Sequence, residues 1–111
     1  MEKYIYMPSE AFVDKLDNIR KTDPKGYTRI LQVIDRLLVN PGDADGKMHG
    51  RYHGKLKKYV GLKDYRLIYY WCEMCRKENR RLESACEHCE SLPDQSVIFF
   101  DLYHKKDSKR V

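Results

Sequence analysis

Apolar and polar positions alternate and cluster in a way that divides the chain into a short list of elements. Tyr4, Ile5, Tyr6 and Met7 give a β-type run over 3–7, stopped by Pro8 and Ser9. Ser9 is a good helix N-cap with Glu10 in the first turn, and Phe12, Leu16 and Ile19 recur at i, i+4 and i+7, which predicts an amphipathic helix over 9–21. Asp23 can cap a second helix with Pro24 at its first position. Ile30, Leu31, Val33, Ile34, Leu37 and Leu38 carry that helix on a wide apolar stripe to about residue 39, where Asn40-Pro41-Gly42 ends it. The short link predicts an antiparallel helix hairpin.

The second half reads as sheet. Residues 42–54, with four glycines, are expected to be loop. Strands are predicted over 55–60 and 64–71, turning at Gly61-Leu62-Lys63, and over 96–103, where Val97–Phe100 is apolar on both faces and therefore central. The expected fold class is α+β: two helices packed on a small, curved antiparallel sheet, in one domain over 1–111.

Charge adds a direction to this plan. Lys and Arg total 22 against 17 Asp and Glu, for a net charge of +5. The excess is concentrated: residues 47–66 carry Lys47, Arg51, Lys55, Lys57, Lys58, Lys63 and Arg66 against Asp64 alone, and residues 104–111 carry Lys105, Lys106, Lys109 and Arg110 against Asp107. If folding joins these two segments they make a polyanion-binding surface; a solvated lysine-rich face is the alternative. No apolar run is long enough to span a bilayer and the start carries no signal-type stretch, so a cytoplasmic protein with no membrane partner is expected.

All four cysteines fall in one pattern. Cys72, Cys75, Cys86 and Cys89 form C-x2-C-x10-C-x2-C, which suits one tetrahedral structural Zn2+ held by four thiolates. Two disulfides are the competing reading, disfavoured in a reducing compartment. Residues 76–85 hold almost no core-forming side chains, so a finger over 72–95 would need the metal to fold.

Several strings resemble the RelE/ParE toxin superfamily. They are Phe12-Val-Asp-Lys-Leu-Asp, the helix ending at Asn40-Pro41, and the segment from His53 to Tyr69 with its Asp64-Tyr65-Arg66-Leu67-Ile68-Tyr69 strand. Phe100-Asp-Leu-Tyr-His-Lys-Lys-Asp107 completes the set. The resemblance covers residues 3–71 and 96–107 and leaves 72–95 as an inserted zinc finger between the last two strands. It implies two helices on a small antiparallel sheet, an antitoxin partner, and either ribosome-dependent cleavage of mRNA or, as in ParE-type members, poisoning of gyrase. A non-catalytic, zinc-containing nucleic-acid-binding module is a third reading.

RNA cleavage of this type is an internal transfer, in which the ribose 2′-OH attacks the adjacent phosphate. It needs a base, an acid at the 5′-oxygen and cations around the phosphorane, and no metal. By the resemblance, Arg66 corresponds to the family's phosphate-holding strand arginine and Lys57 to a family lysine nine residues earlier. Lys105 stands where other members carry arginine, and His104, beside Tyr103, is the candidate for proton transfer. Lys55, Lys58, Lys63, Arg51 and Lys106 are expected to bind RNA. His49 and His53 are weaker acid–base candidates, and Tyr59 and Tyr69 are read as sheet packing or base-stacking groups. This plan expects the lysine/arginine ribbon and His104 to meet across neighbouring strands.

Overall fold

In the computed structural model the chain is described over residues 3–48, 54–61, 64–77 and 93–105. Strand β1 (Ile5–Pro8) leads into helix α1 (Glu10–Thr22) and helix α2 (Pro24–Val39), followed by strands β2 (Gly46–Lys47), β3 (Leu56–Val60) and β4 (Tyr65–Trp71), helix α3 (Cys72–Lys77) and strand β5 (Ser96–His104). Among the described residues five strands form one sheet in the order β1-β5-β4-β3-β2.

Local chemistry places the helices where the sequence puts them. The Ser9 hydroxyl oxygen accepts from the Phe12 backbone N–H at 3.1 Å and donates to the Phe100 carbonyl at 2.8 Å, so one side chain caps α1 and pins it to β5. Asp23 caps α2 by accepting from Gly26 N–H at 3.1 Å, with Pro24 at the first helical position. A Cβ on Gly26 would lie 2.3 Å from an Asp23 carboxylate oxygen, so the cap requires glycine there. Gly61, with φ +63°, supplies the left-handed turn between β3 and β4.

The helices bury their stripes on one face of the sheet. Phe12, Ile30, Leu37, Leu67, Phe99 and Leu102 are fully enclosed. The Phe12 and Phe99 rings lie 5.2 Å apart, and the Tyr69 ring stacks on Phe99 at 6.0 Å while its hydroxyl donates to the Pro41 carbonyl at 2.7 Å. Tyr69 is thus a core residue whose polar tip ties β4 to the end of α2.

Three features differ from the sequence-based plan. The sheet is mixed, because β1 runs parallel to β5 with Ile5 opposite Ser96 and Met7 opposite Ile98. Alternation alone does not specify strand direction, and the partner is distant in sequence. The segment 42–54 contains β2, a two-residue edge pair made through backbone groups (Gly46 with Lys57, Lys47 with Leu56) that leave no side-chain signature. The expected finger over 72–95 opens with a short helix, Cys72–Lys77. The pairing of β4 with β5 also shifts register between Ile68 and Tyr69, which opposes Ile68 to Asp101 and Tyr69 to Phe99 and bends the sheet there. Among the described residues no helix is long and apolar enough to cross a membrane.

Candidate active site

The hairpin register places Tyr59 opposite Arg66, and the next ladder places Arg66 opposite Tyr103. Directly opposed residues share a sheet face, so the three side chains form a rung across β3, β4 and β5. Arg66 Nη1 donates to the Tyr103 hydroxyl at 3.1 Å and Nη2 donates to the Tyr59 hydroxyl at 3.3 Å. The guanidinium carbon lies 5.0 Å from the Tyr59 ring centroid and 5.6 Å from that of Tyr103. Arg66 Nε is enclosed and has no hydrogen-bond partner. Two phenols therefore fix the guanidinium plane and still leave donor capacity on both terminal nitrogens.

Lys57 lies beside this rung, opposite Ile68. It lies two residues before Tyr59, on the same face, with Nζ 5.7 Å from the Tyr59 ring centroid. Lys55 is two residues earlier still and is buried, its ammonium 4.9 Å from the Phe100 ring centroid. Burial pushes the Tyr103 hydroxyl pKa up, and the Arg66 hydrogen bond opposes that shift. The result is a row of cations held against aromatic faces, a surface suited to an anion such as a phosphodiester.

His104 lies elsewhere. It opposes Tyr65, one rung from the Arg66–Tyr103 pair and therefore on the opposite, helix-covered face. Its ring meets the Tyr65 ring edge-on at 5.2 Å, and the Tyr65 hydroxyl donates to Asp23 at 2.7 Å. Burial and the Asp23 bond push the Tyr65 hydroxyl up to about 12, while that hydrogen bond, followed by the Gly26 N–H, holds the Asp23 carboxyl below its ordinary value. The expected meeting of the cationic ribbon with His104 is thus not observed: residues 65 and 66 alternate faces, and Arg66 meets Tyr103 instead.

Two further expected cations are committed to carboxylates. Lys58, adjacent to Lys57 and so on the other face, reaches Asp43 at 3.4 Å and Asp45 at 3.6 Å. Lys105 donates its backbone N–H to the Asp64 carbonyl at 2.9 Å and brings its ammonium within 3.7 Å of the Asp64 carboxylate. Lys63, Arg51, Lys106, His49 and His53 lie outside the described residues. Tyr59 is the site member that pattern reading undervalued. Its signal is arithmetic: a hairpin closing from Val60 to Tyr65 must pair residue 59 with residue 66.

Cys72 opens α3, Cys75 lies three residues along it, and both are buried at 5% exposure. Three residues apart on a helix, their side chains share one face. Cys86 and Cys89 lie outside the described residues.

A mixed sheet backed by an α-hairpin, entered by a parallel edge strand, defines the fold class. The same fold occurs in a chain from the crystal structure of the toxin–antitoxin complex RelBE2 of Mycobacterium tuberculosis. The match has a TM-score of 0.59 and 13% sequence identity, and covers 93% of this chain and 99% of that one. At that identity the likeness establishes the fold, and it supports the resemblance read from residues 3–71 and 96–107 at that level. No family model and no curated protein matches the sequence.

Proposed function

We propose that this chain is the toxin of a toxin–antitoxin pair and acts as a ribosome-dependent mRNA endoribonuclease. The observation that carries this reading is the Tyr59–Arg66–Tyr103 rung, with Lys57 beside it and one Arg66 donor enclosed without a partner. The fold neighbour, part of a toxin–antitoxin complex, supports it, as does the positive charge concentrated in residues 47–66.

In the proposed reaction the ribose 2′-hydroxyl gives its proton to water as its oxygen bonds to phosphorus, and the P–O5′ bond breaks as the departing oxygen takes up a proton, leaving a 2′,3′-cyclic phosphate and a free 5′-OH. Arg66 holds the non-bridging oxygens as charge builds on them, and Lys57 and Lys55 add positive potential. Tyr103, kept protonated by burial and touching Arg66, is the group placed to donate to the departing oxygen. His104, on the other face, takes no part. The 2′-OH requirement makes the substrate RNA. We also propose that Cys72 and Cys75, with Cys86 and Cys89, hold a structural Zn2+; the shared helix face of the first pair fits two ligands of one ion.

The test is induction of the protein followed by primer extension on a cellular transcript, with Arg66→Ala as the comparison. Cleavage within codons, cyclic-phosphate ends, and loss of both in the variant support the proposal. DNA damage with intact mRNA would point to a gyrase poison, and salt-sensitive binding without cleavage at any dose to a non-catalytic nucleic-acid module.

A further inference from the structure

We propose that Tyr59 is a positioning residue, whose phenol and ring together orient Arg66 and Lys57 as a paired cation clamp for a phosphodiester. The inference rests on the reading of this face as the RNA-cleaving site and goes further by assigning the groups that hold its cations.

Arginine on an open sheet face is ordinarily a loose group, because four side-chain torsions keep its head mobile. Here the head is fixed at three points. Tyr103 takes one terminal nitrogen at 3.1 Å, Tyr59 takes the other at 3.3 Å, and the Tyr59 ring supports the guanidinium carbon at 5.0 Å. The two phenols come from strands on either side of β4, so the plane of the guanidinium is set by both ladders at once. Tyr59 does more than Tyr103, since it also lies under the Lys57 ammonium at 5.7 Å. One ring therefore spaces two cations from different strands.

Tyr59 is itself held. Its backbone N–H donates to an Asp45 carboxylate oxygen at 2.7 Å, just ahead of β2, where the sheet edge would otherwise be open. Asp45 and Asp43 draw Lys58 to that same edge, on the far face from Lys57. The residue that sets the clamp is thus anchored by the loop ahead of β3, independently of Arg66. Two substitutions separate its functions: Tyr59→Phe keeps the ring and removes the phenol, whereas Tyr59→Leu removes both.

The test has two arms on the full-length protein. In the first, nitrogen-15 NMR of the arginine side chains reads rotation of the Arg66 terminal nitrogens. Slow rotation in the wild type, faster in Tyr59→Phe and fastest in Tyr59→Leu, is expected. Equal rotation in all three overturns the inference. In the second, single-turnover cleavage of mRNA on programmed ribosomes is compared. Tyr59→Phe should lower the maximal rate about 10-fold and Tyr59→Leu about 100-fold, the scale of losing one and then several contacts to a charged group. Half-saturation should change little, with melting temperatures within a few degrees of wild type. A loss in Tyr59→Leu that appears only as weaker half-saturation or as unfolding also overturns it. If no protein cleaves mRNA but the NMR series holds, the nuclease reading fails and the positioning role stands.

Discussion

Tyr65 and His104 face each other across the β4/β5 ladder with rings edge-on at 5.2 Å, one rung from Arg66 and Tyr103 and on the other side of the sheet. This pair belongs to the seam between the sheet and the helix hairpin, since Tyr65 continues through its hydroxyl to Asp23 at the α1/α2 junction. Opposite faces of one strand pair therefore divide structural from candidate chemical work.

That division separates two substitutions close in space. Arg66→Ala is expected to reduce mRNA cleavage on ribosomes by about 100- to 1,000-fold, the cost of losing a charge-stabilising donor in the transition state. His104→Ala should stay within a few fold of wild type. Growth arrest on induction and primer extension measure both, and equal losses would return His104 to the chemistry.

Asp23 gives the fold an acid-sensitive point. Its carboxyl is held below the ordinary range by the Tyr65 hydroxyl and the Gly26 N–H, so it stabilises the folded state fully above the unfolded value of about 4. The contribution fades as pH falls through the lower folded value. Asp23→Asn should therefore be less stable than wild type at neutral pH, and the gap should narrow as pH falls below about 4. Urea denaturation across pH 3–7 checks the sign.

Phe12→Ala should cost about 3–5 kcal/mol, since its enclosed ring packs on Phe99 at the contact between α1 and β5. Gly26→Ala should be more damaging than an ordinary helix alanine, because the new methyl would strike the Asp23 cap and lie 2.8 Å from the Tyr65 ring. Chemical denaturation of both variants measures this. A neutral or stabilising Gly26→Ala would show that the cap can be given up.

If the cysteines hold zinc, the purified protein should contain one zinc per chain, with four sulfur neighbours by X-ray absorption. Cys72→Ser and Cys75→Ser should each lose it. Chelation should lower the melting temperature, because structural zinc supplies folding free energy directly. Metal-free protein with an unchanged melting temperature would remove the site.

Much of this arrangement was legible in the residues, for reasons that are local. Ser9, Asp23-Pro24 and Asn40-Pro41 set helix ends through side-chain caps and the missing proline N–H, which need no tertiary partner. The β3/β4 hairpin is fixed by its turn, so the pairing of 59 with 66 follows by counting. The pairing of 66 with 103 does not, because the intervening segment 72–95 has no countable register. Charge summed along the sequence joins Lys55, Lys57 and Lys58 in one ribbon. Strand alternation sends Lys58 to the opposite face, where Asp43 and Asp45 take it. His104 carries an imidazole suited to proton transfer, and that same one-residue alternation turns it to the face away from Arg66.

The sheet order has a consequence for when the molecule comes into being. Among the described strands β5 is synthesised after the other four, yet it lies between β4 and β1, and it is the described strand with which β1 pairs. Tyr103, which completes the Arg66 rung, is near its end. A nascent chain short of Ser96–His104 thus leaves its amino-terminal strand unmatched and its clamp one-armed. For a protein proposed to attack translating ribosomes, this chain order withholds the complete clamp until β5 has been made and has paired with β4.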